Sequence, residues 1–224
     1  MITLNIHGKV VDVYPSDEPD KPVIYLNTFG HEGKKVYQEL QKMNSPAFNM
    51  VAISKLSWDS EMSPWDCPPI SKTDFPCTGG ADEFLSMMIE DILPKAEENI
   101  KGTPVWRGIT GYSLAGLFAV YSIYQTDLFT RVASMSGSLW FPGLTDYIYT
   151  HDFKVQPEHV YFSLGDKESK TKNSYLCTTQ EKTSEIQAYY DKKGIDCVFV
   201  LNPGNHYVNG DKRTAAGLDW ILRR

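Results

Sequence analysis

The chain contains one segment whose residue types and spacing could build a nucleophile, Gly108-Ile109-Thr110-Gly111-Tyr112-Ser113-Leu114-Ala115-Gly116. Extended, partly apolar sequence precedes Ser113 and a run rich in small residues follows it, which predicts a strand that turns at once into a helix. Such a turn holds its central residue in a strained backbone conformation, tolerated only where the neighbours are too small to clash. Gly111, Ala115 and Gly116 meet that demand, although Ala115 stands where a glycine is commoner. The turn would expose the Ser113 hydroxyl at the sheet edge, beside the Leu114 amide at the helix N-terminus, where a developing oxyanion can be held.

A serine hydroxyl attacks only with a base at hand, and a base that works near neutrality points to histidine, with a carboxylate to fix its tautomer. Five histidines are available. His7 falls in an early hairpin turn, His31 after the third strand, His151 in a polar loop and His159 directly before a strand, all positions suited to a solvated or locally bonded ring. His206 differs. It follows the strand-like run Cys197-Val198-Phe199-Val200-Leu201 and the turn Asn202-Pro203-Gly204-Asn205, and it precedes the last helix.

For the carboxylate, Val160-Tyr161-Phe162-Ser163-Leu164 reads as a strand that runs into Gly165-Asp166-Lys167-Glu168. Asp166 and Glu168 are both candidates. Asp166 could serve only to cap the turn, and Glu168 is favoured because a side chain past the turn can reach back to the sheet edge. The order serine, acid, histidine is that of a triad assembled from separate strand-end loops. The expected second oxyanion donor lies in Asn27-Thr28-Phe29-Gly30: the Phe29 amide, with Thr28 as the alternative. Trp58, Trp65, Phe75, Tyr112, Trp140 and Phe141 fall in loops on the same side and could line a pocket for the acyl or alcohol part of a ligand.

The elements that must position these residues follow from periodicity. Ile2 to Ile6 and Lys9 to Tyr14, broken at His7-Gly8, predict an antiparallel hairpin. Strands are expected at 22–26, 50–56, 105–112, 131–135, 160–164 and 196–201, alternating with helices at 34–43, from Ala81 onward, 114–125, from Thr178 to Gly194, and at the C-terminus. Pro94 should bend the second of these helices. Thr178-Thr179-Gln180-Glu181 offers a capping box, with Ile186, Tyr189 and Tyr190 inward. Residues 57–80 carry four prolines and two tryptophans with no clear period, the kind of long loop tied to function. Strands alternating with helices predict a mostly parallel sheet covered on both faces, with ligands outside the strand C-terminal ends.

Bulk composition narrows the function further. With 224 residues, 42% of them hydrophobic and 22% charged, the chain suits one globular domain spanning 1–224. Twenty-two basic against 28 acidic residues give a net charge of −6, a poor field for phosphate backbones, so nucleic acid is not an expected partner. No apolar run reaches the roughly 18 to 20 residues of a membrane span and no leader pattern opens the sequence, which makes the cytoplasm the expected compartment. Cys67, Cys77, Cys177 and Cys197 form no Cys-x-x-Cys pair, so no metal site is indicated and reduced thiols are expected, although Cys67 and Cys77 share one loop.

Gly-Tyr-Ser-Leu-Ala-Gly at 111–116, Ser134-Met135-Ser136-Gly137-Ser138-Leu139-Trp140, Gly165-Asp166-Lys167-Glu168 and Asn205-His206 together resemble the esterase D-like branch of the α/β-hydrolase superfamily, the group with feruloyl-type and ferric-enterobactin esterase-like enzymes. The resemblance spans most of the chain. It implies an α/β-hydrolase fold acting on a small-molecule carboxylic ester without cofactor, with Ser113 as nucleophile, His206 as base and, three positions past the strand-end glycine, Glu168 as the acid. A competing reading is a catalytically silent module of the same fold that only binds ligands through its aromatic loop. Oligomeric state and the identity of the ester are not written in these motifs.

Overall fold

A computed structural model describes residues 1–224. Its centre is an eight-stranded sheet. β1 (Ile2–Ile6) and β2 (Lys9–Tyr14) form the expected hairpin, followed by β3 (Val23–Asn27), α1 (Gly33–Lys42) and β4 (Asn49–Ser54). The 57–80 segment is not wholly irregular: it holds α2 (Trp58–Glu61) and a two-stranded ribbon, β5 (Asp66–Cys67) with β6 (Cys77–Thr78). Elements of two to four residues are too short to leave a period in sequence. Next come α3 (Ala81–Met87) and α4 (Leu93–Glu97), then β7 (Arg107–Tyr112), α5 (Leu114–Ser122), β8 (Arg131–Met135) and α6 (Leu144–Thr150). The chain closes with β9 (His159–Gly165), α7 (Thr179–Lys192), β10 (Asp196–Asn202) and α8 (Gly210–Leu222).

The order across the sheet is β1-β2-β4-β3-β7-β8-β9-β10. β2 pairs antiparallel with β1 and β4, and every later pairing is parallel. Side chains of a strand alternate between faces, and the core divides accordingly. Tyr25 and Val23 face the layer built from α3, α5 and α7, whereas Ile24 and Leu26 face Val36 and Leu40 of α1 and Ala215, Leu218, Ile221 and Leu222 of α8. α5 is buried along its whole length, so its small residues let it lie close under the sheet.

Two helices depart from expectation. The bend expected at Pro94 takes the form of a π-helical turn, Met88–Ile92, between α3 and α4; widening the turn ahead of Pro94 absorbs the hydrogen bond that proline cannot donate. The capping box of α7 does not form. A 3₁₀ turn over Leu176–Thr178 runs straight into the helix, and the Thr178 hydroxyl donates to the Tyr175 carbonyl at 2.7 Å instead of accepting from the helix amides. On that helix Ile186 and Tyr190 are buried as expected, Tyr189 is half-buried, and Thr179 and Thr183 take the remaining inward places.

Candidate active site

Ser113 sits between the last residue of β7 and the first of α5 with φ 60° and ψ −125°. A residue with a β-carbon pays about 1–3 kcal/mol for such a conformation, so the surroundings must impose it. They do so through four main-chain bonds: the Ser113 amide donates to the Met135 carbonyl at 3.1 Å, and its carbonyl accepts from Gly116 at 3.0 Å, Leu117 at 3.2 Å and Ser138 at 3.0 Å. Gly111 supplies the space. A β-carbon there would overlap the Ala115 carbonyl group and side chain. Leu114 opens α5, and the first amides of a helix have no acceptor within it.

The carboxylates of the β9 turn separate by task. Asp166 Oδ1 accepts the Gly204 amide at 2.8 Å, while the Asp166 amide donates to Asn202 at 2.7 Å, so this residue ties the β9 and β10 turns together. Glu168 turns back toward the sheet. Its Oε2 is 2.8 Å from His206 Nδ1, and its Oε1 accepts from the Gly165 amide at 2.6 Å, from Ser136 Oγ at 2.7 Å and from Arg213 Nη1 at 3.0 Å. Burial alone would raise the proton affinity of this carboxyl, but the bonds from His206, Ser136 and the Gly165 amide outweigh it and hold the group below its ordinary range.

His206 is half-buried, and its Nδ1 is committed to Glu168, so Nε2 is the ring atom left to exchange a proton. The backbone around it is held from two sides. Tyr112 Oη donates to the His206 carbonyl at 2.7 Å, and Arg213 Nη2 donates to the carbonyls of Asn205 at 2.9 Å and Pro203 at 3.3 Å. Ser113, Glu168 and His206 line one cavity of about 990 Å³ at the C-terminal edge of the sheet. The Ser113 hydroxyl makes no side-chain hydrogen bond there; in unliganded sites such contacts are commonly long and tighten only around substrate.

The remaining histidines lie elsewhere. His7 bonds Asp91 at 2.8 Å, His159 bonds Asp196 at 2.9 Å, His151 contacts the Tyr147 carbonyl at 2.9 Å and His31 is exposed. Of the six candidate pocket aromatics, Trp58, Phe75, Tyr112 and Trp140 line the cavity. Trp65 and Phe141 do not. Phe141 is buried, and Trp65 packs on it and on Tyr121 and Tyr147 while its indole N–H reaches Pro142 at 2.8 Å; aromatic rings that find both apolar neighbours and a polar partner serve the core. Phe29 and Tyr207 join the cavity wall, and Phe29 stacks edge-on against Trp58 with ring centroids 5.1 Å apart.

Three polar residues at this site were not singled out for these roles in the sequence: Tyr112 as a tether, Ser136, and Arg213. Ser136 has φ 45° and Arg213 is 3% exposed. Arg213 did leave a signal. It shares the 213, 217, 221 stripe that α8 turns inward, and an arginine on an inward stripe needs a partner.

The sheet order, the strained turn after β7 and the ligand cavity outside the strand ends define an α/β-hydrolase fold. The family described as "Putative esterase" matches residues 26–207. The chain belongs to this esterase family. It is similar to the uncharacterized protein YbbA of Bacillus subtilis, 26% identical over 222 residues that cover 93% of this chain and 88% of the relative. Among solved structures it resembles an IroE-like serine hydrolase from Shewanella oneidensis (TM-score 0.77, 17% identity, 96% of this chain and 76% of the other). It also resembles the siderophore hydrolase EstB of Aspergillus nidulans (TM-score 0.66, 17% identity, 99% and 94%) and the enterobactin esterase FES of Shigella flexneri (TM-score 0.70, 14% identity, 96% and 55%). At these identities the structural likeness speaks for the fold. No helix is long and apolar enough to cross a membrane.

Proposed function

We propose that the protein hydrolyses small-molecule carboxylic esters through an acyl-enzyme, within a single domain over 1–224, with Ser113 as nucleophile, His206 as general base and Glu168 as the carboxylate that orients it. The observation that carries this reading is the 2.8 Å contact of Glu168 with His206 Nδ1 in a cavity whose wall also holds the strained Ser113. Nδ1–H donated to Glu168 leaves Nε2 as an acceptor for the Ser113 proton. The serine oxygen adds to the ester carbonyl, the developing oxyanion is held by main-chain N–H groups, and the imidazolium returns its proton to the departing alcohol. Water then repeats the sequence to release the acid. No step calls on a metal or an organic cofactor.

The Leu114 amide is one oxyanion donor. For the second, the Thr28 amide is already given to the Ile53 carbonyl at 2.8 Å, which favours the Phe29 amide, free of main-chain acceptors. The aromatic walls, with the likeness to a siderophore hydrolase and a ferulic acid esterase, make aromatic esters the first substrates to assay.

Labelling with a fluorophosphonate tests the reading against a silent binding module. The native chain should gain one covalent adduct on the peptide containing Ser113, and Ser113→Ala should gain none. Equal labelling of both, or labelling of neither, contradicts the assignment.

A further inference from the structure

We propose that Arg213 is a positioning residue that restrains the proton affinity of His206, by compensating the charge of Glu168 across the carboxylate and by holding the turn from which His206 projects. The inference rests on the triad reading above, although its decisive measurement does not need turnover.

The cluster can be followed proton by proton. The Tyr112 hydroxyl donates its single proton to the His206 carbonyl. Ser136, 2.9 Å from Tyr112, therefore cannot receive that proton, and its own goes to Glu168, which as a carboxylate can only accept. Arg213 Nη1 supplies the positive charge, within 3.0 Å of Glu168 Oε1, 3.1 Å of Ser136 Oγ and 3.2 Å of Tyr112 Oη. The Arg213 and Glu168 side chains are 3% and 6% exposed, so water screens this pair poorly and the interaction acts at close to protein-interior strength.

A bare carboxylate bonded to an imidazole stabilises the imidazolium and makes the ring a base that stays charged. Here the oxygen that does not touch His206 is paired with a guanidinium, and that guanidinium stands only one carboxylate away from the ring. Compensation and repulsion act in the same direction. The other charged and titratable groups around His206 make no hydrogen bond to its ring: Tyr112 from β7 and Tyr207, whose ring centroid is 5.3 Å from that of His206, are neutral, Asp166 bonds Gly204, Asp211 of α8 lies 3.9 Å from exposed Lys35, and Lys167, Glu32, Asp59 and Asp74 line the same cavity. Through Nη2 the same side chain fixes the Asn205 and Pro203 carbonyls.

The test is titration of the His206 ring by nuclear magnetic resonance in the native chain, Arg213→Lys and Arg213→Met, beside the pH profile of p-nitrophenyl acetate hydrolysis. The His206 midpoint should rise by about one pH unit in Arg213→Met and stay near native in Arg213→Lys, with the acid limb of kcat/KM moving in step. A residue that only braced the fold would lower thermal stability without moving the midpoint, so an unchanged or lowered midpoint in Arg213→Met overturns the inference. Should Arg213→Met fail to fold, Arg213→Gln decides, because it keeps N–H donors beside the Asn205 carbonyl while removing the charge. Its His206 midpoint should then rise above that of the native chain, and an unchanged or lowered midpoint overturns the inference. A midpoint that shifts as expected while the acid limb does not follow would count against His206 as the base and leave the Arg213 assignment standing.

Discussion

Glu168 Oε2 stands 2.8 Å from His206 Nδ1, whereas Asp166, two residues earlier on the same turn, spends its carboxylate on the Gly204 amide. The division follows from reach. Asp166 leaves the β9 edge beside the β10 turn and meets its backbone; Glu168 comes one bend later, where a longer side chain folds back over Gly165 and takes that residue's amide at 2.6 Å on the way.

The two carboxylates should therefore fail differently when removed. Glu168→Ala is expected to lower kcat/KM for p-nitrophenyl acetate by about 10⁴-fold, the loss seen when a triad loses the group that sets its tautomer. Asp166→Ala removes a turn contact and should cost about 1–2 kcal/mol of stability with less than about a tenfold loss of turnover. Steady-state kinetics and urea unfolding on both variants check this, and a larger kinetic loss at Asp166 would reassign the acid.

A second prediction concerns Phe29, which contributes two separable things, an amide and a ring. Phe29→Ala keeps the amide and removes the contact with Trp58, so it should raise KM for aromatic esters while kcat changes by only a few-fold. Phe29→Pro removes the N–H and should lower kcat by about 10²- to 10³-fold, as loss of one oxyanion donor does. If the two variants shift KM and kcat alike, the amide is not the donor.

Most strands and the long helices were legible because their periods are strong: β1, β2 and β8 begin and end where the apolar runs do, and α8 turns inward the residues its spacing selects. What was not legible depends on contacts between distant segments. α6 packs aromatic side chains with no clean stripe, and the ribbon of β5 and β6 is two residues per strand. At the site, Ser113, Glu168 and His206 each stand at the end of a strand that could be read, so their meeting could be anticipated from topology. Ser136 and Arg213 owe their places to side-chain geometry around a buried carboxylate, which no local pattern encodes, apart from the misplaced charge on the α8 stripe.

The state of Glu168 makes a prediction about acid stability. Its folded proton affinity lies below the reference value of 4.5, so the unfolded chain binds a proton at higher pH than the folded one does. The stability that Glu168 contributes is thus present in full above about pH 4.5 and is lost as pH falls through the lower folded value. Urea midpoints of the native chain should drop over that acid window, and Glu168→Gln, with nothing there to titrate, should show a shallower drop. Parallel curves would mean that Glu168 is not held as the anion.

The turn at Ser113 depends on a missing atom. Any β-carbon at position 111 meets the Ala115 carbonyl carbon and oxygen as well as its side chain, and backbone in the first turn of a buried helix cannot step aside cheaply. Gly111→Ala should cost about 2–4 kcal/mol and displace the serine. Ala115→Gly tests the other half of the pair: it should cost about 1 kcal/mol, the ordinary penalty of glycine within a helix, and leave turnover nearly intact. The double variant is the sharper measurement. If the Ala115 side chain were the obstacle, Gly111→Ala combined with Ala115→Gly would recover the lost stability; because the carbonyl group stays in place, it should recover little, and denaturant unfolding beside fluorophosphonate labelling rates will show which atom sets the turn.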